Sequence, residues 1–177
     1  MKLKDIDGFS FDFPDALAAF KFDEADKAKV TYHGATMLKS VDAIVEFPNS
    51  YLFIEIKNYI DPNEFNIKNF TDQAELDTKQ LKFKWLKNYL KSKYRDSFIY
   101  RYAEKKVEKP IHYLCLINFD NSLNLVMQKA LRQELPVGKP SKRWKESIIE
   151  SCHVLNILKW NKVFPNWPVT ESKGSPP

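Results

Sequence analysis

An α/β sandwich is predicted by three features of this 177-residue sequence. Two strand-like apolar runs, 38–47 and 51–58, are joined by the tight turn Pro48-Asn49-Ser50. Apolar residues then recur at near-helical spacing from 73 to about 103. Finally, Ile111-His-Tyr-Leu-Cys-Leu-Ile117 is almost continuously apolar, as expected of a central strand covered on both faces.

Each element has a local reason. Residues 14–20 read as a short helix, with Pro14 at a tolerated first-turn position and Asp15 near the positive end. Residues 29–33 read as a short strand ended by Gly34, and the two runs of the hairpin follow. Residues 60–72, rich in Asp, Asn and Pro, are expected to loop beside it. The helical segment carries Leu76, Leu81, Trp85, Leu86, Tyr89, Leu90 and Tyr94, then Phe98 and Tyr102, and its length predicts a break within 90–95. Residues 105–110 form a charged connection to the strand 111–117. A helix over 122–134 stops before Pro136, 136–142 is a loop, 144–150 a short helix and 152–158 another strand. Residues 161–168 bring aromatics against the core, residues 1–170 are expected to be one domain, and 171–177 a disordered tail.

Composition narrows the function classes. Hydrophobic residues at 44% and charged residues at 29% describe a globular chain. The net charge of +5 and a pI near 9.0 permit a polyanionic partner without requiring one. Cys115 and Cys152 stand singly in apolar runs and read as buried thiols in a reducing compartment. The first eight residues lack the apolar centre of a signal peptide, and no apolar run approaches about 18 residues, so a cytoplasmic protein without a membrane span is expected. His33, His112 and His153 are isolated, and the four glycines make no phosphate-cradling loop.

The chemistry concentrates in the hairpin. Strand side chains alternate between faces, so Glu55 and Lys57 point the same way, and pairing across the turn can bring Asp42 to that face. Two carboxylates and an amine converging at one end of a sheet suit a divalent metal beside a catalytic lysine. The alternative is a solvated cross-strand salt bridge contributing about 0.2–1 kcal/mol. The apolar flanks of Glu55 and Lys57 argue against it, because charges in a central hairpin are costly unless they act.

An acid on one strand followed by Glu55-Ile56-Lys57 on the next resembles the PD-(D/E)XK superfamily, the restriction-endonuclease-like nucleases. The resemblance covers 30–118, with Val41 where the superfamily pattern has Pro before the acid. It implies a restriction-endonuclease-like three-layer sandwich, with a central mixed sheet flanked by helices. Asp42, Glu55 and Lys57 take the catalytic roles. Asp42, Glu55 and the backbone carbonyl of Ile56 would hold Mg²⁺, with Mn²⁺ as a substitute, and Lys57 would face the scissile phosphate and position the attacking water. A further acid often comes from the first helix of such folds. Asp15, Asp23 and Glu24 are the candidates, Glu24 preferred.

The helix after Glu-x-Lys often adds a phosphate or metal contact in this superfamily. Lys93, Arg95 and Ser97 are candidates, with Gln80 and Lys84 as competitors. In a helix Lys93 and Ser97 lie one turn apart, and Asp96 can brace Lys93. Lys79, Lys82, Lys84, Lys87, Lys91 and Lys93 make a basic stretch able to neutralise phosphates, while Phe83, Trp85 and Tyr89 are expected to face the core. The expected activity is metal-dependent hydrolysis of phosphodiester bonds, as an endo- or exonuclease, in DNA ahead of RNA, in a defence or repair context. A homodimer or partner protein would supply targeting. Two other readings stand beside it. One is a catalytically inactive nucleic-acid- or protein-binding module of the same fold; the other is an interaction protein docking through 160–167.

Overall fold

The computed structural model describes residues 1–65, 73–139 and 141–172. Five strands form a mixed sheet in the order β3 (Ala18–Lys21), β4 (Ala43–Glu46), β5 (Tyr51–Lys57), β6 (Ile111–Ile117) and β7 (Ser151–Leu155). The β3–β4–β5 pairs are antiparallel and the β5–β6–β7 pairs parallel. Parallel neighbours need crossovers. These are α1 (Gln73–Ala103) between β5 and β6 and α2 (Asn121–Glu134) between β6 and β7. A second, antiparallel sheet joins β1 (Lys2–Ile6), β2 (Phe9–Asp12) and β8 (Val169–Glu171).

Strand alternation sorts the core into two layers. From β5 and β6, Tyr51, Phe53, Tyr113 and Cys115 face α1 and α2, meeting Leu86, Leu90, Tyr94, Met127 and Leu131. Leu52, Ile54, Ile56 and Leu114 face the other way, onto Phe9, Phe11, Phe13 and Trp160. Each such fully buried side chain contributes about 1.5–3 kcal/mol. Helices therefore cover one face, while the small sheet and α3 (Ile157–Val163) cover the other, where flanking helices were expected. Glu55 and Lys57 fall in register with Tyr51 and Phe53, on the α1 side.

Several predicted elements take a different form. Residues 14–17 turn and 18–21 pair with β4, so the predicted helix gives way to a strand; the Ala18↔Glu46 to Lys21↔Ala43 ladder outweighs local propensity. Residues 29–33 are turns, because Val30 is fully exposed and β3 already holds the sheet edge. The first hairpin strand begins only at Ala43. α1 runs 31 residues without the predicted break, since no Gly or Pro interrupts it and its buried side (Leu86, Leu90, Lys93, Tyr94, Ser97, Arg101) spans that point. Residues 144–150 do not form a helix: Gly138 N–H and Glu150 N–H are taken by the carbonyls of Ile149 and Ile111. β7 ends at Leu155, where Asn156 caps α3 by accepting Lys159 N–H.

The aromatics of 160–168 do pack inward. Trp160 is completely buried, meets Phe11 and Phe164, and donates its Nε1–H to the Trp167 carbonyl at 2.7 Å. Trp160 is core, and Phe164 and Trp167 pack against it half-buried. Glu171 pairs with Phe9 in β8, so the expected tail is ordered at its start, and 173–177 lie outside the described residues, as do 66–72 of the expected loop.

α1 ends on Lys105 at φ 59°, the left-handed region, where Lys106 N–H reaches the Arg101 carbonyl at 2.9 Å. Glycine adopts that conformation without the Cβ penalty. Lys105→Gly should raise stability by about 1 kcal/mol in urea unfolding; a loss would show that the Lys105 side chain matters more than its backbone.

Candidate active site

The site lies where β4 begins beside the end of β5. Because β4 starts at Ala43, the Ile56 N–H faces a gap, and the Asp42 carboxylate fills it, accepting that N–H through Oδ2 at 2.5 Å. N–H and C=O of one strand residue point to the same side, so the Ile56 carbonyl opens toward the same gap. The segment before Asp42 is fastened to α1: Asp96 Oδ2 accepts Lys39 N–H at 3.2 Å, and Ser97 Oγ accepts Val41 N–H at 2.8 Å. Phe22 N–H closes the other side on the Asp42 carbonyl at 2.9 Å.

Strand alternation brings Glu55 and Lys57 together, with Lys57 Nζ 2.9 Å from Glu55 Oε1. α1 adds Lys93, whose ammonium bridges the acids at 3.2 Å from Asp42 Oδ1 and 3.3 Å from Glu55 Oε2. Glu55 is fully buried, Asp42 is 1% exposed and Lys93 7%, which excludes an ordinary solvated salt bridge. Both Glu55 oxygens and Asp23 Oδ1 are buried without a well-formed hydrogen bond. Buried carboxylate oxygens in that condition are costly, and they are what a cation would satisfy.

The acids nearest this pair are not the one preferred from sequence. Glu24 is turned away, engaged by Lys29 at 2.8 Å and by Asp26 N–H at 3.0 Å, and Asp15 is exposed in the turn after β2. Its neighbour Asp23 faces Asp42. Asp7, in the β1–β2 turn, also feels Asp42, Lys57 and Lys93. The only sequence signal for Asp7 is its place before Gly8 in a turn.

Among the other candidates, Ser97 is committed to Val41, and Asp96 braces Lys39 and Arg95 but not Lys93. Arg95 lies 3.0 Å from Asp96, and Gln80 and Lys84 are exposed, making no ion pair or hydrogen bond with the acids among the described residues. The basic stretch is largely neutralised, with Lys79 on Glu75, Lys82 on Glu64, and Lys87 and Lys91 on Glu134. Trp85, expected in the core, is 58% exposed.

Burial, reinforced by the charge of Asp42, pushes Glu55 up to about 8 against the pull of Lys93 and Lys57. Burial and Asp42 likewise raise Asp23 to about 6. Burial alone would lower Lys57 and Lys93, yet Glu55 and Asp42 outweigh it and hold both ammonium groups above the ordinary lysine value. These directions describe one cluster in which carboxylates outnumber ammonium groups, so an acid keeps a proton before a lysine loses one. Among the described residues no group of three His, Cys, Asp or Glu side chains is arranged to hold a metal ion by itself. A cation here would therefore rest on Asp42, Glu55 and the Ile56 carbonyl, a donor set suited to a hard ion that keeps several waters.

Two outcomes follow. Folded Glu55 holds its proton to about pH 8, whereas its ordinary value is 4.5, so the folded state binds more protons between these limits. Stability in EDTA should thus fall as pH rises from about 5 to 8, and Glu55→Gln should flatten that slope in urea melts. Lys93→Met removes the bridging charge and should lower metal-free stability by about 3 kcal/mol in the same assay.

No described helix is long and apolar enough to cross a membrane. The chain matches no protein-family model, no curated protein and no solved structure, so its site is read from its own chemistry.

Proposed function

We propose that this protein is a metal-dependent phosphodiesterase of the PD-(D/E)XK type, a nuclease acting on DNA ahead of RNA. The observation that carries this reading is the gathering of buried Asp42, Glu55 and Lys93 with half-buried Lys57 at the end of β5, where the Glu55 oxygens are met among the described residues by lysine ammonium groups alone. Charges cost several kcal/mol in such a place. A merely structural role would be served better by apolar residues.

Asp42, Glu55 and the Ile56 carbonyl would hold Mg²⁺, or Mn²⁺ in its place, and the bound ion would acidify a water and offset charge on the phosphate. The residues themselves divide the remaining work. Lys57, on the rim at 21% side-chain exposure, can reach a phosphate oxygen and orient the attacking water. Lys93 balances the charge of the acids, holding one oxygen of each. In the hydrolysis the water oxygen bonds to phosphorus, the bond to the leaving oxygen breaks, and the water's proton ends on that oxygen. Burial by the sheet and α1 keeps bulk water from screening these charges.

One observation favours a second reading, an inactive module of the same fold: the Lys93 ammonium already bridges both acids and can replace a cation permanently. Mg²⁺ titration separates the two. Ion binding must displace the proton held by Glu55, so calorimetry at pH 7 in buffers of different ionisation enthalpy should register about one proton released per ion. With Mn²⁺ the parent chain should cut at least one of a plasmid and a single-stranded substrate, and Asp42→Ala and Lys57→Ala should each lose that activity at least roughly a hundredfold while staying folded by circular dichroism. Cleavage by either variant at the parent rate would end the proposal.

A further inference from the structure

The α1 face beside the acids carries a feature the hydrolytic chemistry does not use. Trp85 and Tyr89, one turn apart, are stacked with ring centroids 5.2 Å apart and planes 20° from parallel. Trp85 is 58% exposed, so much of its indole meets water. Around the Tyr89 ring stand three ammonium groups: Lys39 at 5.0 Å, Lys57 at 5.2 Å and Lys93 at 5.5 Å. Lys57 and Lys93 belong to the acid cluster. Lys39 does not; it is exposed and pairs with no carboxylate among the described residues, although its main chain is fixed by Asp96. A cleft of about 500 Å³ opens here, bordered by Asp23, Tyr32, His33, Lys39, Tyr89 and Lys93.

An exposed aromatic stack next to cations that converge at a hydrolytic site matches a ligand that alternates flat rings with anions. A nucleic-acid strand has that pattern. In a duplex the base faces are covered by neighbouring bases, and only edges are accessible. A ring face such as that of Trp85 can be used only by an unpaired base, and stacking of this kind tolerates any sequence.

From this arrangement we infer that the substrate is single-stranded nucleic acid, with an unpaired base stacked on Trp85 and the adjoining backbone phosphates held by Lys39 and Lys57. The inference rests on the phosphodiesterase reading for the identity of the site, but its test does not depend on cleavage. Lys39 is a positioning residue for the strand, and Trp85 sets the preference for unpaired over paired substrate.

Binding is measured by fluorescence anisotropy in EDTA with the full chain. The probe is a labelled oligothymidylate of roughly 15 nucleotides, alone or annealed to its complement. The single strand should bind at least roughly tenfold tighter than the duplex. Trp85→Ala should weaken the single strand about tenfold and leave the duplex unchanged, and Trp85→Phe should restore most of the loss. Lys39→Ala should reduce the salt slope for the single strand by about 0.7, the share of one phosphate contact. Equal or tighter binding of duplex, or unaltered single-strand binding by Trp85→Ala, overturns the inference. If Trp85→Ala has no effect while Asp42→Ala abolishes cleavage, the stacking platform falls and the hydrolytic reading stands. If the Trp85 series behaves as expected but Asp42→Ala and Lys57→Ala cut like the parent, the strand-binding surface stands and the hydrolytic reading falls.

Discussion

The Asp42 carboxylate is the point through which the rest of the site is tied together. One oxygen takes the Ile56 N–H that β4 leaves unpaired, and the other receives the Lys93 ammonium from α1. Its main-chain carbonyl accepts Phe22 N–H, which brings Asp23 alongside. A single residue thus joins the sheet, the long helix and the segment after β3. The interior tolerates this charge because ammonium groups and N–H donors surround it, and because Glu55 retains a proton that a fully ionised cluster could not spare.

Helix α1 does two jobs with different faces. Its inner side is core, with Leu86, Leu90 and Tyr94 packed on the sheet, and this rigid seating sets where Lys93 reaches. Asp96 and Ser97 hold the approach to Asp42 by its backbone, so acid and lysine are positioned by the same element. The N-terminal half turns Trp85 outward, one turn from Tyr89 and its three lysines. Carrying the exposed Trp85–Tyr89 stack and part of the charge cluster on one unbroken helix keeps their spacing constant, which loops could not do as well.

Local pattern was enough for parts of this arrangement. The two-residue period placed Glu55 and Lys57 on one face, and the continuous apolar run marked 111–117 as a strand buried on both sides. The 3.6-residue period found α1 end to end, but the expected break is absent, where no Gly or Pro stands, and Trp85, expected in the core, faces solvent. The mistaken helix at 14–20 and strand at 29–33 have a common cause: short segments have weak propensities, and the competition for places in the sheet decides them. Asp23 and Glu24 are adjacent in sequence and chemically alike, and only the pairing of β3 with β4 shows which of them faces Asp42.

By itself, then, the sequence determined the α/β class, the central strands and the juxtaposition of an acid with Glu55 and Lys57. These depend on side-chain periods within a few residues. The tertiary structure alone decided that Lys93 bridges Glu55 and Asp42, the latter 51 residues away, that Asp7 and Asp23 border the cluster, and that Trp85 faces solvent. Such contacts depend on how α1 is rotated against the sheet. That rotation follows from packing summed over the whole interface, a quantity no short window of residues contains.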